Sequence, residues 1–257
     1  FATEFSRVPL VGTFHCYSTS TLANGFASNV IGVRRLYNKL GVRIAVSEAA
    51  QWTAERYYGG RYRVVPNGVD LSAARPDHGG SDVLELLFVG RADARKGLPV
   101  LLRAFEALRS AGVPARLTVA GATWEEVEPV LMDAEGVDVV GRVSDEEKWR
   151  LLGRADLLCA PSLGGESFGM VLTEAFASAT PVVASDIAGY RDVVRHGHDG
   201  VLVPPGDAVA LGEALGALAL DPAARTHLSE NGLRSAERFA WPHVAEEVTA
   251  AYEDAVT

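Results

Sequence analysis

Short apolar runs that alternate with helical segments constrain the fold of this 257-residue chain more than any other feature. Six runs after residue 80 fit buried strands, and they lie at residues 84–90, 115–121, 137–141, 156–161, 181–185 and 200–203. Between or after them lie segments that fit helices, at residues 98–111, 125–134, 145–154, 174–178 and 190–195, followed by helical tails at 207–220, 222–239 and 242–255. Parallel strands need such crossover helices, so the pattern predicts an α/β fold with a doubly wound parallel sheet.

The first part of the chain repeats the same alternation on a smaller scale. Strands are expected at residues 8–15, 43–47 and 61–66, with helices at 21–40 and 48–58. The polar, Gly- and Pro-rich residues 72–82 predict a linker. We therefore expect three parts, at residues 1–70, 71–240 and 241–257. Because the chain starts close to what fits a strand inside a domain, we also expect its first domain to lack an N-terminal portion.

A glycine turn at residues 164–169, Gly-Gly-Glu-Ser-Phe-Gly, follows the apolar run at 156–161 and leads into a predicted helix. Free backbone N–H groups and the helix dipole make such a turn attractive to anions. Glu166 and Glu174 flank the turn, and a separation of about two helical turns would let both carboxylates face one cleft. An anion site between two carboxylates suits a ligand that carries a phosphate and hydroxyl groups, as a nucleotide-sugar does.

A second loop, residues 90–97, follows the first strand of the larger domain and reads Gly-Arg-Ala-Asp-Ala-Arg-Lys-Gly. Arg91 can hold two phosphate oxygens with its forked guanidinium, and Lys96 can act as a point charge. Alone, the loop fits a solvated turn before a helix. Together with the glycine turn of the same sheet, it favours a diphosphate site.

Two histidine-containing patterns are candidate sites. His15 ends the first predicted strand, where it would face a cleft between domains, although a lone histidine is more often structural. Residues 196–199, His-Gly-His-Asp, resemble a metal cluster but lie in a Gly-rich turn. In a separate loop, Ser144 and Glu147 fit a capping box at the start of a predicted helix. With no Asp-x-Asp pair at a strand end, we expect no metal.

Charge and cysteine usage exclude some classes of protein. The net charge of −9 argues against general nucleic-acid binding. Residues 5–47 nevertheless contain five cations and no carboxylate, which fits either a solvated helix face or a contact with an anionic membrane surface. Cys16 and Cys159 lack metal or redox spacing and are expected to be reduced thiols in a reducing compartment.

Five motifs together resemble one enzyme family. They are GTFH at 12–15, PNGVD at 66–70, GR…RKG at 90–97, GGESFG…E at 164–174 and PVVASDIAG at 181–189. The set resembles the retaining glycosyltransferases of family four, which have two facing Rossmann-like domains (the GT-B architecture). Within the family it looks most like the phosphatidylinositol mannosyltransferases. The resemblance implies an incomplete acceptor-side domain, a complete donor-binding domain and a last helix that returns to the first domain.

The resemblance also implies roles for individual residues. Arg91 and Lys96 match the pair that holds the donor diphosphate, Glu166 matches the acid that binds the transferred sugar, and His15 matches a histidine near that sugar. Glu174 matches the acid that binds the ribose. The complete implied donor site is Gly90, Arg91, Lys96, Val143, Asp145, Lys148, Gly165, Glu166, Ser167, Phe168, Gly169 and Glu174. Val143, Asp145 and Lys148 are its base-recognition positions.

The implied activity is transfer of a sugar, with mannose as the expected one, from a GDP- or UDP-linked donor with retention of configuration. The acceptor would be a hydroxyl of a glycan, a lipid or a small molecule, and neither a cofactor nor a metal would be needed. The implied location is the cytoplasm, with peripheral attachment to the inner face of the membrane as a further expectation.

One departure from the branch concerns the acceptor. Residues 16–21, Cys-Tyr-Ser-Thr-Ser-Thr, lack the Thr and Lys that the mannosyltransferases use near the acceptor's phosphate. Other functions therefore stay open at this point. They are a nucleotide-sugar-binding module without activity, which the chain as given could itself be, and an epimerase or hydrolase of similar architecture. An NAD-binding fold is a less well supported alternative, because no Gly-x-Gly-x-x-Gly motif follows a first strand.

Overall fold

A computed structural model describes residues 8–29, 32–77 and 83–256 of the chain. Its strands form two separate parallel sheets, one of three strands and one of six. The α/β fold class with two Rossmann-like units is therefore confirmed.

The smaller sheet has the order β1-β2-β3, and its strands are β1 (Val11–Phe14), β2 (Val42–Ala45) and β3 (Arg63–Val64). Its helices are α1 (Thr21–Asn29), α2 (Val33–Tyr37) and α3 (Glu48–Tyr58). The predicted single helix over residues 21–40 is wrong. Gly32, at a φ of 76°, precedes the separate helix α2, and the Nε of Arg43 donates to the carbonyl O of Tyr37 at 2.9 Å where α2 ends.

The larger sheet has the order β6-β5-β4-β7-β8-β9. Its strands are β4 (Leu84–Val89), β5 (Ala115–Ala120), β6 (Val137–Gly141), β7 (Leu157–Ala160), β8 (Val182–Ser185) and β9 (Gly200–Val203). The chain first winds outward from β4 to β6 and then crosses to β7 and winds the other way. The carboxyl ends of β4 and β7 are thus the switch point, where ligands of such sheets bind.

Eight helices of the described chain follow α3. They are α4 (Leu98–Ser110), α5 (Trp124–Val127), α6 (Asp145–Arg154), α7 (Met170–Ala177), α8 (Ala188–Arg191), α9 (Ala208–Leu220), α10 (Pro222–Ala236) and α11 (Trp241–Val256). The predicted helix over 125–134 is too long. After one capped turn, Pro129 falls in a 3₁₀ turn at Glu128–Val130 that ends the helix, since proline supplies no backbone N–H.

Apolar spacing explains how the larger sheet is covered. Along α4, Leu98, Leu101, Leu102, Phe105 and Leu108 recur at steps of three and four and are all buried. They pack into a core that includes residues of β4, β5, β7 and α9. The strands themselves read as nearly continuous apolar runs because both faces of the sheet are covered.

The last helix leaves the larger unit and packs against the smaller sheet. Its start is fixed where the backbone N–H of Trp241 donates to the carbonyl O of Val69 at 3.2 Å. Val244 and Ala251 of α11 then share a small core with Ile44 and Val65. Within the described residues, none of the helices has the length and apolar character that crossing a membrane requires.

Gly97 allows the loop after β4 to touch the loop after β7. It has a φ of 70°, and a Cβ at this position would overlap the carbonyl O of Pro161. In the same region, the backbone N–H of Leu163 donates to the carbonyl O of Arg95 at 2.7 Å. The switch point is therefore closed by direct backbone contact between its two loops.

Gly97→Ala should destabilise the protein more than the same change at a glycine with open surroundings. Gly112 is the matched control, because its φ is 84° and nothing lies within 4 Å of a Cβ built there. Backbone strain alone should cost Gly112→Ala about 1 kcal/mol, or roughly 2–4 °C in Tm for a chain of this size. Thermal unfolding followed by circular dichroism should show at least about twice that loss for Gly97→Ala. Equal shifts in the two variants would contradict the close packing of the two loops.

Candidate active site

The glycine loop, which we define as residues 164–169, lies between β7 and α7 at the switch point. Three of its residues, Gly164, Gly165 and Gly169, have positive φ angles. Gly169 occupies the N-cap position of α7, and no side chain caps this helix start. The first-turn N–H groups of a helix lack intrahelical partners, so this end of α7 can donate to an anion.

Glu166 and Lys96 form an ion pair across the switch point. The Nζ of Lys96 lies 2.9 Å from the Oε1 of Glu166, and both side chains are more than three-quarters buried. Sequence reasoning placed Glu166 and Glu174 two turns apart on a helix, and this is wrong because α7 begins only at Met170. Glu166 reaches the site from the loop, and it is the lysine of the neighbouring loop that orients its carboxylate.

Glu174 is paired with a different lysine. Its Oε1 lies 2.8 Å from the Nζ of Lys148 on α6, which also contacts the Oδ1 of Asp145 at 3.2 Å. Burial raises the pKa of Glu174 more than the Lys148 charge lowers it. Burial by itself lowers the pKa of Lys148, but the hydrogen bonds and charges of Glu174 and Asp145 together raise that pKa above its ordinary value. The structure thus brings three predicted donor-site residues into one cluster.

The other predicted residues lie in the loops that carry these two clusters or in the smaller unit. Gly90 lies beside the Lys96 side chain, whose Cδ would be 3.8 Å from a Cβ at this position. Arg91 is exposed in the same loop and forms no ion pair with the described residues, whereas Val143 lies half-buried just before α6. His15 is exposed directly after β1, in the smaller unit.

Phe168 can act on a ligand only through its backbone. Its side chain is 3% exposed and stands edge-on to Phe239, with ring centroids 5.6 Å apart.

A hydrogen bond joins the glycine loop to the smaller unit. The carbonyl O of Ser167 accepts from the hydroxyl of Ser47, which follows β2. The carboxyl ends of the two sheets therefore face one another across the site.

Sequence reasoning missed several residues that support the glycine loop. Gly189 allows α8 to approach so closely that a Cβ there would overlap the carbonyl O of Glu166. The hydroxyls of Ser162 and Tyr190 lie 2.8 Å apart below the loop, and Tyr190 is buried. The motif at residues 181–189 was a signal for Gly189. Nothing in the local sequence distinguished Ser47 or Asp192. Each forms a hydrogen bond with the opposite unit, Ser47 with Ser167 and Asp192 with Ala49.

The carboxylate of the His-Gly-His-Asp segment is held by neighbouring side chains. Asp199, from the His-Gly-His-Asp segment, is buried and accepts from Ser235 at 2.7 Å and from Arg195 at 3.0 Å. No group of three potential metal ligands occurs in the described parts of the chain.

Cys16 and Cys159 are both free thiols, and burial raises the pKa of the Cys159 thiol to about 12.

The fold and the site define a glycosyltransferase with two facing Rossmann-like units. Residues 75–235 match the family of glycosyl transferases group 1, and residues 2–73 match glycosyltransferase family 4. The chain belongs to the group 1 glycosyltransferases, and it is an enzyme that transfers a hexose.

Individual relatives agree with this assignment. A phosphatidyl-myo-inositol mannosyltransferase of Mycobacterium leprae (strain TN) is 36% identical over 266 residues, which cover 100% of this chain and 70% of the relative. A D-inositol 3-phosphate glycosyltransferase of Nocardia farcinica (strain IFM 10152) is 33% identical over 284 residues, or 97% of this chain and 62% of the relative.

Solved structures show the same fold. The Anabaena protein Alr3699/HepE in complex with UDP superposes with a TM-score of 0.86 at 22% identity, over 98% of this chain and 74% of that one. A sucrose-phosphate synthase of Thermosynechococcus elongatus superposes with a TM-score of 0.82 at 26% identity, over 97% of this chain and 68% of that one.

Glu174→Gln should lower the pKa of Lys148. The ion pair with Glu174 opposes the effect of burial on Lys148, so its removal lets burial disfavour the ammonium form. Because the folded pKa of Lys148 is raised, its contribution to stability is present below the unfolded pKa and disappears as the pH rises through the folded value. NMR titration of the Lys148 Cε resonance measures this pKa directly.

Glu147→Gln is the matched control for that titration. It also removes one carboxylate near Lys148, but Glu147 pairs with Arg150 instead, at 2.5 Å. The Lys148 pKa should stay near the wild-type value in this variant. If both variants shift the Lys148 pKa equally, the specific pairing with Glu174 is contradicted.

Proposed function

We propose that this enzyme transfers mannose, with retention of configuration, from a nucleoside-diphosphate donor to a hydroxyl of an inositol-phosphate acceptor. The sugar and the acceptor class rest on the relatives, which are named phosphatidyl-myo-inositol mannosyltransferase and D-inositol 3-phosphate glycosyltransferase. The donor class is supported by the neighbour that was solved with UDP. No cofactor or metal enters the proposed reaction.

The observation that carries the proposal is the pair between Lys96 and Glu166. With its Nζ 2.9 Å from the Glu166 carboxylate, Lys96 holds that carboxylate in one orientation. A carboxylate held in this way can accept hydrogen bonds from sugar hydroxyls. Glycoside hydrolases pair two carboxyl groups at the scissile bond, and the contact of Glu166 with a cation instead favours transfer over the hydrolase alternative.

The leaving diphosphate gains negative charge as the bond to the sugar breaks. Arg91, Lys96 and the start of α7 are cationic or N–H-rich groups that would stabilise this charge. The acceptor hydroxyl attacks from the face that the diphosphate leaves, and its proton goes to the departing phosphate. His15, across the cleft, would orient the sugar, and no residue needs to act as a separate base.

The second lysine–carboxylate pair suits the nucleoside. Glu174, held by Lys148, offers carboxylate oxygens to the ribose hydroxyls. Val143 and Asp145 lie at the start of α6, on the side where the base would then fall. The base itself is either guanine or uracil in this proposal.

We further propose that the smaller unit touches an anionic membrane surface that presents the acceptor. On α1, Leu22 and Phe26 are 88% and 58% exposed and lie one helical turn apart. Arg34 and Arg35 are exposed on the following helix. Exposed apolar side chains beside cations are typical of peripheral membrane contacts.

Calorimetric titration with GDP, UDP and their mannose and glucose conjugates tests the donor assignment. Loss of one charge-assisted contact costs roughly tenfold to a hundredfold in affinity. Lys96→Met should therefore weaken both the plain diphosphates and the sugar conjugates. Glu166→Gln should weaken the sugar conjugates and leave the plain diphosphates nearly unchanged, because Glu166 contacts the sugar.

Arg150→Met is the control, since it breaks an ion pair of the same kind that the exposed Arg150 makes with Glu147 on α6. Its affinities should match those of the wild type. Wild-type protein that binds none of these compounds would contradict the proposed function. Product analysis with inositol phosphate, offered free and as the lipid in anionic or neutral vesicles, then identifies the acceptor.

A further inference from the structure

Ser47 joins the two units through a single hydroxyl group. It lies between β2 and α3 and is 2% exposed. Its Oγ accepts from the backbone N–H of Ala50 at 2.9 Å, which makes it the N-cap of α3, and donates to the carbonyl O of Ser167. A hydroxyl has one proton and two lone pairs, so both bonds form at once. The side chain of Ser47 is thereby held in one orientation.

The carbonyl that Ser47 holds lies in the middle of the glycine loop. A trans peptide is planar, and its C=O and N–H groups point in opposite directions. Fixing the carbonyl O of Ser167 therefore also fixes the backbone N–H of Phe168, which is directed away from Ser47. This N–H lies in the glycine loop directly before Gly169, the N-cap of α7, where the backbone can donate to an anion.

Asp192 of the larger unit also contacts the start of α3, the helix that Ser47 caps. The Oδ2 of Asp192 accepts from the backbone N–H of Ala49 at 3.1 Å. A carboxylate is favoured at this end of α3 by the helix dipole, although burial and the nearby Glu48 raise the pKa of Asp192. The first turn of α3 is thus satisfied by one side chain from each unit.

Asp192 directly follows α8, and α8 supports the glycine loop from the other side. Gly189 of α8 lies against the carbonyl O of Glu166, one residue before Ser167. The loop is consequently enclosed between α8 and the end of β2. Any separation of the two units would break the contacts of Ser47 and Asp192 together and release the Ser167 carbonyl.

We propose that Ser47 is a positioning residue for the donor diphosphate: through the Ser167 carbonyl it sets the glycine loop, and donor affinity therefore depends on contact between the two units. This inference rests on the proposed function for the identity of the ligand. It assigns to the acceptor-side unit a part in donor binding that does not require it to touch the donor.

The test compares affinities for the nucleoside diphosphate and for the matching nucleoside, the first by calorimetry and the second by ligand-observed NMR. Ser47→Ala should weaken diphosphate binding about tenfold, the scale of one lost hydrogen bond to a charged ligand site, and leave nucleoside binding unchanged. Ser47→Thr retains a hydroxyl and should restore much of the affinity. Asp192→Ala, which acts on the other side of α3, should also weaken the diphosphate selectively.

Asp207→Ala is the matched control for loss of a helix cap. Asp207 caps α9 by accepting from Val209 and Ala210, and it does not contact the glycine loop. It should lower the Tm without changing the ratio of the two affinities. If Ser47→Ala and Asp192→Ala both keep the wild-type ratio, the inference is overturned while the proposed function stands. Wild-type protein that binds no nucleoside diphosphate would instead overturn the proposed function.

Discussion

The ion pair between Lys96 and Glu166 is the interaction on which the arrangement of the site depends. It joins the loop after β4 to the loop after β7, at the one place where the winding direction of the sheet changes. A largely buried pair of this kind adds little net stability, because desolvation offsets most of the attraction. Its effect is on orientation, since it places a cation and an anion side by side where a phosphate and a sugar hydroxyl would meet.

A second lysine–carboxylate pair lies elsewhere in the site, where we propose that the nucleoside binds. Lys148 and Glu174 come from α6 and α7, and the pair is separated from the first by the start of α7. Two lysine–carboxylate pairs on either side of a helix N-terminus give alternating charges along one edge of the sheet. A nucleotide-sugar has the complementary sequence of groups, with ribose hydroxyls, two phosphates and sugar hydroxyls in that order.

Sequence patterns predicted the parts of this site that are local. The strands of the larger sheet and the glycine loop follow from apolar runs and glycine placement, because these depend on near neighbours in the chain. The helix boundaries were less predictable. A stripe of apolar residues crossed Gly32, and the sequence did not show that a positive φ there would separate two helices.

Contacts between distant segments could not be predicted from one sequence. The bond from Ser47 to Ser167 spans 120 residues, and neither residue differs locally from many other serines. The sequence pointed to Glu166 and Glu174 as candidates, yet their lysine partners depend on the packing of β4 against β7 and of α6 against α7. The residues that orient the site are therefore mostly those that only the fold could reveal.

Hydrogen exchange at the backbone of residues 165–170, with and without a nucleoside diphosphate, tests the central claim most directly. If the glycine loop and the start of α7 hold the diphosphate, the N–H groups of Phe168, Gly169 and Met170 should exchange more slowly when it is bound. The N–H groups of Ala49 and Ala50 should be protected as well, because Ser47 and Asp192 link them to the loop. Unchanged exchange at residues 168–170 under saturating nucleotide would contradict the account.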